Sequence, residues 1–82
     1  MTGTTILTLM TRPGCHLCDD MRTVVAAVRR TRAIELREVD ISTDPALERR
    51  YGSDIPVLCR GDLVIANHRV TEAELIRALE TR

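Results

Sequence analysis

The amino-acid sequence predicts an α/β domain of order β-α-β-α-β-β-α, with a four-stranded mixed sheet flanked by helices. Three observations predict it. An apolar, β-branched run at Thr5–Met10 hands over to a helical pattern, and an alternating run follows at Ile34–Ile41. Two short apolar runs, Pro56–Cys59 and Leu63–Ala66, then face each other across Arg60-Gly61-Asp62. Thr71 and Glu74 form a capping box in front of a last amphipathic stretch.

Thr5–Met10 reads as a strand buried on both faces, because its apolar residues do not alternate cleanly with polar ones. Thr11-Arg12-Pro13-Gly14 breaks it. From Leu17 the apolar positions Met21, Val24, Val25 and Val28 recur at helical spacing, while Asp20, Arg22, Arg29 and Arg30 take the other face. The next strand, Ile34–Ile41, is parallel to the first under the right-handed crossover rule. Asp44-Pro45 is an N-cap followed by proline at the first helical position, opening a short helix that ends near Gly52. The runs on either side of Gly61 form an antiparallel hairpin. Leu75, Ile76, Ala78 and Leu79 give the final helix its apolar face.

Composition narrows the function. The 82 residues make one small domain, 1–82, expected to be a monomer. Twelve acidic residues balance twelve basic ones, so the chain carries no electrostatic footprint for nucleic acid or an anionic membrane. All the basic residues are Arg, which excludes Schiff-base chemistry. Tyr51 is the only aromatic residue, too few for a base-stacking platform. No apolar run approaches the roughly 20 residues of a membrane span. The Thr-rich start lacks the pattern of a signal peptide, and three cysteines are too few for a secreted disulfide scaffold. A cytoplasmic location is expected.

Two cysteines form Cys15-His16-Leu17-Cys18 at the strand-to-helix turn. A thiol reacts as its thiolate, and an ordinary cysteine is only about 3% ionised at pH 7. A helix N-terminus offers unpaired N–H groups and a favourable dipole to a sulfur held there. Lowering the pKa to ~7 raises the thiolate roughly 16-fold, and a Brønsted slope of ~0.45 returns about fivefold of that in nucleophilicity. The larger benefit is a better leaving group when a mixed disulfide is resolved. Cys18, one turn on and on the same face, can reach Cys15 and close a disulfide. The expected roles are attack by Cys15 and resolution by the more buried Cys18. His16 either tunes the sulfur or is plain surface. Asp19 and Asp20 read as solvated first-turn residues that complement the dipole.

The strand, the segment Arg12-Pro13-Gly14-Cys15-His16-Leu17-Cys18, the helix and the later Ile55-Pro56 together resemble a glutaredoxin within the thioredoxin-like fold, along essentially the whole chain. The resemblance implies that Pro56 follows a cis peptide bond facing the dithiol and that Ile55 offers its backbone to substrate. It also implies that Arg12 contacts the carboxylate of a thiol cofactor. The implied activity is thiol-disulfide oxidoreduction on a disulfide-containing protein or a small thiol. No tightly bound cofactor is expected. The external reductant would be glutathione, another low-molecular-weight thiol or a thioredoxin-type reductase. An iron–sulfur carrier, or a redox-sensing binding module with little turnover, is the alternative. The chain departs from the family pattern in carrying His16-Leu17 between the cysteines and in having no glycine in Ala66–Thr71, where glutaredoxins usually kink at a Gly-Gly pair.

Other signals carry less. Cys59, inside an apolar run, reads as a buried inert thiol. Cys59 and His68 lack zinc-site spacing relative to Cys15 and Cys18, so no metal site is expected. Arg60-Gly61-Asp62 is explained by a hairpin turn. His68 reads as a solvated loop residue near the active-site end of the sheet. Arg29, Arg30, Arg49 and Arg50 read as solvated surface.

Overall fold

The computed structural model describes residues 3–80. Its elements run β1 (Thr5–Thr11), α1 (His16–Val28), β2 (Ile34–Asp40), a 3-10 turn (Ile41–Thr43), α2 (Pro45–Tyr51), β3 (Val57–Arg60), β4 (Leu63–Asn67) and α3 (Glu72–Glu80). The four strands form one mixed sheet in the order β2-β1-β3-β4. β1 pairs in parallel with β2 and antiparallel with β3, and β3 pairs antiparallel with β4. The predicted α/β order is the observed one.

Leu7 and Leu9 of β1, Met21, Val25 and Val28 of α1, Ile34, Leu58 and Leu75 of α3 make one buried cluster on a single face of the sheet. Fully burying a side chain of this size contributes roughly 1.5–3 kcal/mol. The helical spacing of the α1 residues and the alternation along β1 deliver them to the same side. The register Leu9↔Leu58 and Thr8↔Cys59 sends Cys59 to the opposite face, where Arg50 and Tyr51 of α2 act on its thiol.

Three expectations change here. β1 is not buried on both faces: Leu7, Leu9 and Thr11 are buried, whereas Ile6 is 42% exposed because α2 covers only part of the second face. Ile41 does not extend β2. It opens the 3-10 turn and is itself fully buried, while Asp40 caps that turn by accepting from Ser42 N at 2.9 Å. Hydrogen bonds from the Ser42 hydroxyl and main chain hold the Asp40 carboxyl below the usual range. Arg22 is no simple surface residue. It pairs with Asp19, donates from Nε to Glu38 of β2 at 2.8 Å, and reaches Thr11 Oγ1 at 3.3 Å.

Local rules position the helix starts. Asp44 Oδ1 accepts from Ala46 N at 2.9 Å and Leu47 N at 3.4 Å, with Pro45 at the first helical position. Thr71 and Glu74 exchange bonds of 2.9 and 3.1 Å, the reciprocal capping box the sequence predicts.

Candidate active site

The register gathers the site at one end of the sheet. β1 ends there and passes through Gly14, whose φ of +78° suits a residue without a Cβ, into the first turn of α1. The pair Met10↔Val57 sets Pro56 beside the exit of β1, and Val57↔Asn67 brings the residues after β4 to the same edge.

Cys15 is the N-cap of α1, with φ −92° and ψ 108°, and its carbonyl accepts the first helical bond from Asp19 N at 3.2 Å. Its Sγ accepts from Cys18 N at 3.1 Å. The sulfur therefore occupies the place an N-capping oxygen normally takes, against an unpaired N–H at the positive end of the dipole. Cys15 and Cys18 are joined by a disulfide, with Cα atoms 5.2 Å apart. Cys18 is fully buried and Cys15 half-buried, which gives the two sulfurs unequal access to a partner. His16, Asp19 and Asp20 are exposed.

The Ile55–Pro56 peptide bond is cis, as the resemblance implies. Ile55 is half-buried. Its N–H and C=O take no main-chain hydrogen bond among the described residues.

Arg12, the residue to which the resemblance assigns a thiol carboxylate, lies between β1 and Cys15. Its guanidinium pairs with Glu48 and donates to Gly52 O at 3.1 Å, so it ties the loop before Cys15 to α2. A Cβ on Gly52 would collide with Glu48 O and stand 3.3 Å from the Arg12 nitrogen, so this close approach requires glycine. Arg12 Nε is buried without a hydrogen-bond partner among the described residues.

Cys59 is a free buried thiol. Burial pushes its pKa up, and Arg50 and a Tyr51 hydrogen bond oppose this only in part. No group of three His, Cys, Asp or Glu side chains able to hold a metal ion occurs among the described residues.

His68 is an exposed loop residue at the active-site end of the sheet, as the sequence predicts. What the sequence does not predict is its φ of +63°, its main-chain bond to Pro56 O at 2.9 Å and an imidazole 3.7 Å from Asp54. The available signal was the absence of glycine in Ala66–Thr71 combined with the need for a sharp turn before the capping box. Beside it an open groove of about 250 Å³ runs between α1 and the segment leading to α3, lined by Asp20, Met21, Val24, His68 and Arg69 among others.

A thioredoxin-like sheet with a Cys-X-X-Cys disulfide at the β1–α1 turn defines a thioredoxin-superfamily protein. Within that superfamily the chain belongs to the glutaredoxin-like domain (DUF836) family, whose model matches residues 6–80. The chain is similar to protein XcR50 of X. campestris, with 32% identity, a TM-score of 0.79 and coverage of 90% of this chain and 95% of that one. Protein Ne2328 of Nitrosomonas europaea shares its fold at 23% identity and a TM-score of 0.82, covering 94% and 93%. Thioredoxin-2 of the malaria parasite does so at 21% identity and 0.67, covering 100% and 86%. A comparison with curated proteins gives no match. No helix among the described residues is long and apolar enough to cross a membrane.

Proposed function

We propose that this protein is a thiol-disulfide oxidoreductase that reduces disulfides through a mixed-disulfide intermediate. The observation that carries the reading is Cys15 Sγ capping α1 while standing in bonding reach of Cys18. In the reduced protein the Cys15 thiolate, stabilised by the Cys18 N–H and the helix dipole, attacks one sulfur of a substrate disulfide. An S–S bond forms between Cys15 and that sulfur, and the other substrate sulfur leaves as a thiolate and takes a proton from water.

Cys18 then loses its proton and attacks Cys15 Sγ. The mixed disulfide breaks, the second substrate thiolate leaves, and the Cys15–Cys18 bond closes. Two electrons have passed to the substrate. An external reductant resets the pair: glutathione, another low-molecular-weight thiol, or a thioredoxin-type reductase. The substrates are disulfide-containing proteins or the disulfides of small thiols in the cytoplasm, and the chain needs no tightly bound cofactor.

Ile55 offers its unpaired main-chain groups to the substrate strand beside Pro56, which supports a peptide-like substrate. Glu48 and Gly52 engage Arg12 through one guanidinium nitrogen, which leaves donors on the others for a thiol carboxylate. Cys18 in reach of Cys15 favours dithiol exchange over an iron–sulfur carrier or a binding module.

The test is insulin reduction run in parallel with glutathione plus its reductase and with thioredoxin reductase. Turnover with either supports the reading and names the reductant class. Cys18→Ser should accumulate a Cys15 mixed disulfide visible by mass. A reducible Cys15–Cys18 bond without turnover in either system would sink the reading and favour a binding module.

A further inference from the structure

His68 is the one non-glycine residue with a positive φ among the described residues, at +63°. That conformation crowds any side chain, although histidine tolerates it better than most residues. A kink wanted only for its shape is best made by glycine, so a histidine there needs a second reason.

The contacts supply one. The kink turns the main-chain N–H of His68 onto Pro56 O at 2.9 Å. The same residue places imidazole Nε2 at 3.7 Å from Asp54 Oδ1, within ion-pair range and beyond a direct hydrogen bond. Asp54 precedes Ile55 and Pro56 follows it, so a single residue grips both flanks of Ile55. Ile55 in turn presents an N–H and a C=O that no other main-chain group takes.

We propose that His68 is a positioning residue for substrate capture. It brackets Ile55 so that the free N–H and C=O stay aimed at an extended, disulfide-bearing peptide while Cys15 attacks. The proposal rests on the oxidoreductase reading and deepens it: a partner long enough to lay a strand along Ile55 gains from the bracket, and a short disulfide does not. Glycine at position 68 would keep the kink, relieve its crowding and lose the grip on Asp54.

The test compares wild type, His68→Gly, Asp54→Asn and the double variant on two substrates, an oxidised peptide of about ten residues and 2-hydroxyethyl disulfide. Both single variants are expected to raise KM for the peptide by about threefold where the imidazole is protonated, the size a half-exposed ion pair carries. Their kcat should hold, and so should their kinetics on the small disulfide. The double variant should be no worse than either single one, because both remove the same contact.

His68→Gly should also melt no lower than wild type, which separates loss of capture from loss of fold. An unchanged peptide KM in both single variants, or an equal loss on the two substrates, overturns the bracket and leaves the dithiol chemistry standing. Failure of the wild type to reduce either substrate overturns both.

Discussion

At the start of α3, Thr71 Oγ1 accepts the Glu74 N–H at 3.1 Å; at the start of α1, Cys15 Sγ accepts the Cys18 N–H at the same 3.1 Å. The carbonyls match as well, Thr71 O receiving Leu75 N and Cys15 O receiving Asp19 N. In both helices the N-cap and the third helical residue form the working pair. At α3 the pair is an oxygen cap and a carboxylate that returns a 2.9 Å bond to Thr71 N, and the helix end is satisfied. At α1 the cap is a sulfur, a weaker acceptor, and Cys18 has no oxygen with which to reciprocate. The same two positions serve stability in one helix and leave an ionisable, oxidisable pair in the other.

The largest effect should come from making α1 like α3. Cys15→Ser is expected to reduce disulfide turnover to background. With excess reductant present it should also unfold at slightly higher temperature than reduced wild type, by about 0.5 kcal/mol, because a hydroxyl is the better cap. Calorimetry under reducing conditions checks this, and a lower melting temperature would break the comparison.

The reverse exchange sharpens it. Thr71→Cys with Glu74→Cys, built on Cys15→Ser and Cys18→Ser, should close a disulfide on oxidation, seen as a mass lower by two hydrogens. It should reduce no substrate, since the new pair lacks the Ile55 main chain beside it.

Thr71→Ala should cost about 1 kcal/mol, measured by urea unfolding.

The smallest effect is in the pH response. Glu74 is held below its ordinary pKa by the Thr71 main-chain N–H first and the Thr71 hydroxyl second. Its contribution is complete above the ordinary glutamate value and is lost as pH falls through the lower native one. Wild type should therefore exceed Glu74→Gln in urea midpoint at pH 7, with the gap closing in acid.

These contrasts show which features the sequence carries openly. Caps, prolines and apolar period are local, so Asp44-Pro45, Thr71/Glu74, the Cys-X-X-Cys turn and the order of elements were all readable before any fold was known. Long polar side chains are different, because their partners depend on which strand lands beside them. Arg22 looked like surface until β2 placed Glu38 within 2.8 Å. Arg12 gains Glu48 and Gly52 as partners only because α2 folds back to it, which no local pattern announces. Ile6 shows the same limit for apolar residues, since its exposure depends on how far α2 reaches across the sheet. The exposure of His68 is readable from its loop, whereas its left-handed backbone leaves no mark in periodicity or propensity.

The Arg12 tether also bears on the third cysteine. α2 contains no fully buried residue, and Arg12 fastens it at Glu48 and at Gly52 just beyond its last turn. Cys59 lies under this helix with its thiol kept neutral. Removing the tether in Arg12→Ala should therefore speed the alkylation of Cys59, read by mass, relative to wild type.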